Sequence, residues 1–448
     1  MLKIRVFVDD SNSYTFLESE GLIEAFSMNK GMGAEISAPV SPVTAGEVNL
    51  QLSNLFSEFN ITNTDSVYSN LKNGQKIIIS NLISEEEEKD LFTGYLVDFD
   101  APTSSQTQSC MMRAVDPLQR VLSTPVVTSD LQVERDLTIP TYLGILFAAC
   151  GLGETGFEID GALSERVLDF SLLSGSTVGD QLNEICVAGD CYIYCEGTGV
   201  VKVVSKEIKG ESEYTFSRSD NTYYLTSSTY GLSLASSYKS LKIAYKAPKL
   251  SEVKLLYSGN IICPEGEITL NPVVFEDSNV YEIDSLKLKL PTDSNIRITS
   301  FSATPSSITL SVNNPSTELE VPIEVFGKVV ETADTFAVRE LGAEEVDQTL
   351  EISSILLQKQ SDAEWVAERV YKRAMKKVPF ITATVEVTDF PVTLGTVVTV
   401  NDSDVSLLYT GYVYSIDLDY DGGGYAFYNL GIKALDDNEE EEVVSDEL

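Results

Sequence analysis

Two stretches of this sequence repeat one another from opposite ends of the chain. Residues 91–100 are LFTGYLVDFD, and residues 408–417 are LYTGYVYSID. Each is preceded at a similar distance by a glycine that opens a β-branched run, with GQKIII starting at Gly74 and GTVVTV starting at Gly395. Each copy has the pattern of a hairpin, in which a buried strand, a polar connection and a return strand follow one another. A glycine near the start of the return strand lets the backbone kink at a barrel corner.

The repeat predicts that one small β unit occurs twice, with matched positions in the two copies. The alternative is that two unrelated hairpins share residue types that are common in β structure. The shared order of glycine, β-branched run and aromatic-Thr-Gly-Tyr favours duplication. The matched positions are Gly74, Thr93, Gly94 and Tyr95 in the first copy and Gly395, Thr410, Gly411 and Tyr412 in the second.

Length and composition indicate a folded protein of several units. A chain of 448 residues corresponds to about three or four domains, and 43% hydrophobic residues with a mean hydropathy of -0.00 supply enough apolar surface for their cores. The formal charge is -38, from 31 Lys and Arg against 69 Asp and Glu. Such a surface repels phosphate, which argues against sequence-specific nucleic-acid binding. The absence of histidine excludes Ser-His-Asp and Cys-His catalysis and His-ligated zinc.

The sequence also argues against export through a signal peptide and against membrane insertion. Its start, MLKIRVFVDD, alternates like a strand and lacks the apolar core of a secretory signal. The longest apolar run, residues 143–150, is far shorter than the roughly 20 residues that cross a bilayer. Six cysteines are too few for a disulfide scaffold, so we expect a reduced, cytosolic site of synthesis.

The order of element patterns divides the chain into segments. Residues 1–110 are mainly strand-like, residues 111–210 mix helical and strand patterns, and strands resume over 211–250. Short alternating runs between prolines then suggest a β-sandwich-like insertion over 251–378, which ends in a helix at 361–378. Strands return over 379–435, and 436–448 form an acidic segment that we expect to be a flexible, solvated tail.

Three motifs suggest cofactor, metal or helix-surface chemistry, and each has a simpler interpretation. The glycines of residues 151–156 match a dinucleotide-binding pattern, but a helix precedes them and a strand follows, so a helix C-cap is favoured. Cys186, Cys191 and Cys195 lack a fourth ligand, which favours buried apolar residues over a metal site. The basic side of the Trp365 helix predicts equally an acidic neighbour or plain solvated surface.

Two carboxylate groups raise alternative functions. Asp417, Asp419 and Asp421 resemble the opening of a calcium loop, although Tyr428 stands where the closing glutamate belongs, so a hairpin turn is preferred. They remain weak calcium candidates. The run of four glutamates at 85–88 could supply the carboxylates of a glycoside hydrolase, but contiguous glutamates are typical of a solvated loop. No cofactor is predicted.

The arrangement as a whole resembles the tail hub, or baseplate hub, proteins of phage tails and contractile injection systems. The resemblance covers most of the chain and depends on the order of phrases such as Asn73-Gly74, the LFTG of residues 91–94, AVDPL at 114–118 and LGTVV at 394–398. It implies a multidomain, mainly β fold with α+β parts. The implied domains are a tube-like β-barrel at 1–110, a mixed α+β domain at 111–210, a second tube-like barrel from 211–250 with 379–435, and the insertion at 251–378.

The resemblance also implies a function, which the repeat makes geometrically sensible. Three subunits with two similar barrels each would present six units, so a homotrimer could mate with a sixfold tail tube and stay threefold at the tail tip. The implied protein is a non-enzymatic structural component of the virion tail, assembled in the host cytoplasm, that continues the channel for DNA. The implied partners are the tail tube protein, a tip or spike protein and, as a further candidate, the tape measure protein. The alternatives that stay open are a tail-associated carboxylate-dependent glycoside hydrolase and a calcium-dependent surface-binding module.

Overall fold

A computed structural model shows how these segments fold. It describes residues 2–9, 12–17, 20–54, 58–60, 63–66, 68, 70–82, 88–100, 109–126, 131–220, 223–231, 237–290, 294–341, 348–387, 392–420 and 426–435. The N-terminal strands are β1 Leu2–Phe7, β2 Ser13–Leu17, β3 Ile23–Gly31, β4 Glu47–Ser53, β5 Lys76–Leu82, β6 Glu88–Asp100 and β7 Ser109–Val115. The mixed segment contains α1 Leu118–Ser123, β8 Arg135–Thr138, α2 Ile139–Ala149, β9 Phe157–Ile159, β10 Val167–Phe170, α3 Val178–Ala188, β11 Cys191–Cys195 and β12 Val201–Ser205.

The second half of the chain is again mostly strand. It contains β13 Tyr214–Ser217, β14 Tyr223–Tyr230, β15 Ser240–Leu250, β16 Lys254–Cys263, β17 Gly266–Thr269, β18 Val273–Val274, β19 Val280–Leu288, β20 Arg297–Thr304, β21 Ser307–Asn314, β22 Leu319–Glu340 and β23 Thr349–Ser353. The last elements are α4 Gln360–Ala374, β24 Phe380–Val387, β25 Val397–Asp402, β26 Leu407–Tyr420 and β27 Ala426–Ala434. No helix in the described ranges is long and apolar enough to cross a membrane.

The N-terminal strands form a half-barrel. Their order is β2-β1-β5-β6-β7-β4-β3, and every neighbouring pair is antiparallel. Strand β1 shows why they pack this way, since Leu2, Ile4 and Val6 alternate with polar residues and lie buried in the core. The first unit is therefore an open half-barrel.

The C-terminal strands form a closed six-stranded barrel. Their order is β26-β25-β13-β14-β24-β27, and β27 pairs again with β26. Closure depends on β13, which runs parallel to both β25 and β14, whereas β1 runs antiparallel to β5 in the half-barrel. Strand β3 pairs with β26, so both units belong to one thirteen-stranded sheet over a shared core. The predicted mainly β, multidomain fold with two related barrel-type units is confirmed.

The helices pack on the mixed segment and form a second core. Helix α3 begins at a capping box in which Thr177 and Asp180 bond reciprocally. Helix α2 ends at Ala149 with Cys150 as its C-cap; Gly151 follows with φ +76°, and the N–H of Leu152 bonds to the carbonyl of Phe147 at 3.0 Å. This is a Schellman C-cap, so the glycines of 151–156 end a helix, as the sequence favoured over a dinucleotide site.

The insertion contains a third core and a long strand that connects it to the second core. Strands β16 and β19 pair with residues 319–329 of β22, while β15 pairs with residues 330–340 of the same strand. The order of element patterns predicts that 211–250 belongs to the second barrel, and for β15 this prediction is wrong. Its buried Leu241 and Ile243 pack in the second core beside α4, because β22 and β23 pair with β15 there.

Candidate assembly surface

One side of the thirteen-stranded sheet is polar and open to solvent where the two barrel-type units join. On β26, Asp417 and Asp419 share this side, because residues two apart on a strand point the same way. Their partners on β3 are Asn29 and Ser27. Strand β4 extends the row, since Glu47 lies opposite Asn29. The junction between the two units is thus lined by carboxylates, amides and hydroxyls.

The same side continues over the outer strands of both units. The strand registers place Asn429 opposite Asp417, Thr384 opposite Asn429, and Arg113 opposite both Asn49 and Asp98. We call this surface the polar face and define it by residues Ser27, Asn29, Glu47, Asn49, Asp98, Arg113, Thr384, Asp417, Asp419 and Asn429. It crosses from the half-barrel to the closed barrel without a break.

The charges of the polar face are predominantly negative. Arg113 Nε and Nη2 donate to the two oxygens of Glu47 at 2.8 and 2.7 Å, and this bonding lowers the pKa of Glu47. The positive charge of Arg113 is therefore matched by its neighbour. Burial raises the pKa of Asp417, which accepts a hydrogen bond from the amide of Asn29 and lies beside Asp419. A groove of about 810 Å³ follows the junction past these groups.

The first pair of repeat positions, Gly74 and Gly395, has the same backbone geometry in both units. Their φ angles are +87° and +86°, a region that favours glycine. The N–H of Gly74 bonds to the carbonyl of Leu96 at 2.7 Å, and that of Gly395 bonds to the carbonyl of Val413 at 2.8 Å. Each glycine therefore makes the same turn into the first strand of its hairpin.

The second pair, Gly94 and Gly411, also occupies matched places. Ile77 lies opposite Gly94 as Val398 lies opposite Gly411. A bulge follows at the same distance in both units, after Leu96 in β6 and after Val413 in β26. The two copies thus share register, turn geometry and bulge position.

Two solved structures are similar to this chain along almost its whole length. One is the 43 kDa tail protein of prophage MuSo2 from Shewanella oneidensis, with TM-score 0.55, 11% identity, and coverage of 97% of this chain and 98% of that one. The other is a tail protein from Neisseria meningitidis MC58, with TM-score 0.55, 9% identity, and coverage of 97% and 96%. The chain has a phage tail-protein fold. No family model matches the sequence, and no curated protein matches it.

Within this tail-protein fold the remaining repeat positions differ between the units. The hydroxyls of Thr410 and Thr399 lie 3.0 Å apart, but Ile78 stands opposite Thr93, whose buried hydroxyl has no hydrogen-bond partner among the described residues. Tyr95 is 44% exposed, whereas Tyr412 is 2% exposed and its hydroxyl lies 2.8 Å from that of Tyr192. The mixed segment covers the second unit at a place where the first unit stays open.

The carboxylate and cysteine motifs have these positions in the tail-protein fold. Asp417 and Asp419 lie on the polar face, while Asp421 falls outside the described residues, as do Glu85 to Glu87 and the predicted tail 436–448. Glu88 is ion-paired with Lys3 and Arg5. Cys186, Cys191 and Cys195 are buried free cysteines. Among the described residues no cluster of three acidic or cysteine side chains could hold a metal ion.

The sequence missed one buried charged group, the carboxylate of Asp190. Arg373 Nη2 and Arg369 Nε reach it at 2.5 and 2.8 Å, and the ammonium of Lys206 lies 3.8 Å away. Burial alone would raise the pKa of Asp190, but Arg373 and Lys206 together hold it well below its ordinary value. The sequence predicted either an acidic neighbour or solvent for the basic side of α4. In the structure Arg369 and Arg373 of this side contact Asp190, an acidic neighbour within the same chain.

Proposed function

We propose that this chain is a structural protein of a phage tail, a hub that adapts the sixfold tail tube to a threefold tip and continues the channel for DNA. The observation that carries the proposal is the pairing of β3 with β26, which gives two related barrel-type units one common polar face. Three copies of such a chain offer six similar units in a ring. The tail-protein fold supports a role in the virion tail.

In this proposal the polar face lines the channel. Its carboxylates repel the phosphates of DNA, and the pairing of Arg113 with Glu47 leaves little positive charge to hold the strand. In the proposed ring the mixed segment and the insertion, whose cores are separate from the core of the sheet, buttress it from outside. The protein acts by assembly and not by catalysis, without reading DNA sequence.

Strand β2 supplies a means of joining neighbouring copies. It is an end strand of the thirteen-stranded sheet, and within the described residues its strand partner is β1. An end strand has backbone donors and acceptors that a neighbour can complete. The proposed assembly is a homotrimer that stacks on the tail tube protein and receives a tip or spike protein below, with the tape measure protein as a further candidate partner.

The assembly is tested by mass photometry and electron microscopy of the purified chain, alone and with tail tube protein. We expect rings of three subunits that stack coaxially on sixfold tube rings. A monomer that persists in excess tube protein, or a ring with another number of subunits, would contradict the proposal.

The channel is tested separately by reversing charge in assembled particles. Asp417→Lys with Asp419→Lys should leave ring formation intact and slow DNA ejection, because the variant face attracts phosphate. The matched control is Glu267→Lys with Glu320→Lys, a reversal of the same size in the insertion. Equal ejection rates in the two variants would show that the polar face does not line the channel.

The same samples test the two alternative functions. A glycoside hydrolase would digest cell-wall polysaccharide, so release of reducing sugar by the purified chain would favour it. A calcium-dependent module would take up calcium in calorimetry, and Asp417→Asn with Asp419→Asn would remove that heat.

A further inference from the structure

A small cavity lies where four parts of the chain meet. It has a volume of about 40 Å³ and is lined by Arg373 and Lys376 at the end of α4, residues 36–39 of the β3–β4 connection, Tyr192 of β11, and Lys433 of β27. This volume holds roughly one or two water-sized groups. The cavity therefore fits the head of a small ligand and not a nucleotide or a sugar.

The lining of the cavity is cationic. The ammonium of Lys433 lies 4.0 Å from the ring centre of Tyr414 and donates to the carbonyl of Ala38 at 3.3 Å. Within the described part of the chain no carboxylate forms an ion pair with Lys433. Burial lowers its pKa, and the charges of Lys206 and Arg373 lower it further.

The buried carboxylate of Asp190 is already surrounded by basic side chains. Asp190 accepts hydrogen bonds from both Arg369 and Arg373, and Lys206 adds a third positive charge at 3.8 Å. Lys433 and Lys376 add positive charge to this group on the side of the cavity. A buried cation is costly without a compensating anion. Glu207 pairs with Arg369 at 2.8 Å, and no carboxylate is among the described residues that line the cavity.

We propose that this cavity binds a carboxylate, and that the chain's own acidic segment 436–442 supplies it. The segment reads DDNEEEE and starts directly after Leu435, while Lys433 and Ala434 line the cavity. An extended chain covers about 3.3 to 3.6 Å per residue, so several of these acidic residues can reach the opening. A carboxylate accepts from two donors at once, which suits the ammonium of Lys433 beside the guanidinium of Arg373.

Thermal unfolding of full-length variants tests the site. One variant replaces Asp436 and Asp437 by Asn and Glu439 to Glu442 by Gln, which removes the charges of the segment. We expect its Tm to fall by about 2 °C and to recover in a saturable way with sodium formate, but not with sodium methanesulfonate at equal ionic strength. In Lys433→Met, neither the loss nor the recovery should occur. Lys289→Met, which changes an exposed lysine of the insertion, should behave like the wild type.

The arms of this experiment separate the two sources of the carboxylate. If the wild type responds to formate as strongly as the segment variant does, the cavity binds a free carboxylate and the segment is not its ligand. If Lys433→Met keeps the full formate response, the cavity is not the site, and the rings of Tyr192 and Tyr414 alone accommodate Lys433.

A second measurement does not depend on stability. A carbodiimide joins carboxylates to amines that are in direct contact, so we expect a cross-link between Lys376 and a residue of 436–442 in the wild-type chain. Trypsin separates the two peptides, and mass spectrometry identifies them. If Lys433→Met does not fold, Lys376→Met replaces it in the unfolding series. Absence of the cross-link together with an unchanged Tm of the segment variant overturns the proposal.

Discussion

Gly94 and Gly411 face equivalent carbonyl oxygens in the two barrel-type units. A Cβ at Gly94 would lie closer than 3.0 Å to the carbonyl oxygen of Val115, and one at Gly411 would lie closer than 3.0 Å to that of Lys433. Both obstacles are backbone atoms of the neighbouring strand, which cannot rotate away. The repeat therefore has a steric cause, because each hairpin needs its third strand to approach a residue without a side chain.

The first prediction follows from this close approach. Gly94→Ala and Gly411→Ala should each lower the free energy of unfolding by about 1–3 kcal/mol, since the strands must separate to admit a methyl group. Chemical denaturation measures the change. Gly144→Ala is the control, because that glycine lies in α2 with nothing within 4 Å of its Cβ position, and alanine there should stabilise the helix by up to about 1 kcal/mol. Equal effects at all three positions would contradict the steric argument.

The second prediction uses the two repeat threonines, which should respond with opposite signs. Thr93→Val removes a buried hydroxyl that has no partner within the described ranges, so we expect the free energy of unfolding to stay constant or to rise by up to about 1 kcal/mol. Thr410→Val removes the hydrogen-bond partner of Thr399 and should lower the free energy of unfolding by about 1 kcal/mol. Urea titrations of the two variants measure both changes. A loss of similar size in both would show that the Thr93 hydroxyl is bonded in solution.

The third prediction concerns the buried carboxylate of Asp190. Asp190→Asn should lower the free energy of unfolding by about 3–5 kcal/mol, because Arg373 and Lys206 would lose the carboxylate that they face and Arg369 would keep only its ion pair with Glu207. The control is the more exposed ion pair of Lys202 and Glu158. Glu158→Gln should change the free energy of unfolding by less than about 1 kcal/mol.

The pH dependence of the same residue has a defined sign. Its pKa is depressed in the folded state, so its contribution is present at neutral pH and is lost as the pH falls below about 4, the range of an unfolded aspartate. Acid unfolding of Asp190→Asn should therefore be less steep than that of the wild type. An unchanged acid profile would mean that the carboxylate is not ionised in the folded protein.

The fourth prediction concerns Asp116, whose pH dependence has the opposite direction. Burial raises the pKa of Asp116 to about 6, although the N–H of Gly46 donates to it at 2.6 Å. A raised pKa means that the contribution of Asp116 is fully present below about pH 4 and is lost as the pH rises through about 6. The loss is on the order of 3 kcal/mol. Urea unfolding from pH 4 to pH 7 should show this decline in the free energy of unfolding of the wild type and not in that of Asp116→Asn. If the two proteins lose stability in parallel over this range, Asp116 is not its source.

The features that could be predicted from sequence are local in the chain. The repeat signal at Gly74, Gly94, Gly395 and Gly411 is visible because each glycine is required by a turn or a close strand within a single hairpin. The C-cap at Gly151 and the helix that begins at Val178 are local in the same way. These features needed no knowledge of distant partners.

The features that escaped prediction depend on contacts between distant segments. Closure of the second unit requires β13 to run parallel to β25, a partner about 180 residues away, and nothing in the four residues of β13 encodes that choice. Asp190 meets Arg369 and Arg373 across a similar separation. The different exposure of Tyr95 and Tyr412 arises because Tyr192 of the mixed segment packs against Tyr412, whereas Tyr95 stays 44% exposed.

Strand β22 gives the insertion a rigid connection to the rest of the protein. Its 22 residues extend over roughly 70 Å, and its pairing passes from β19 at Val329 to β15 at Val330 without an unpaired residue between them. A load applied to the outer sandwich therefore travels along an unbroken ladder of backbone bonds to the sheet beneath α4. The insertion therefore changes its orientation only together with the sheet that packs against α4.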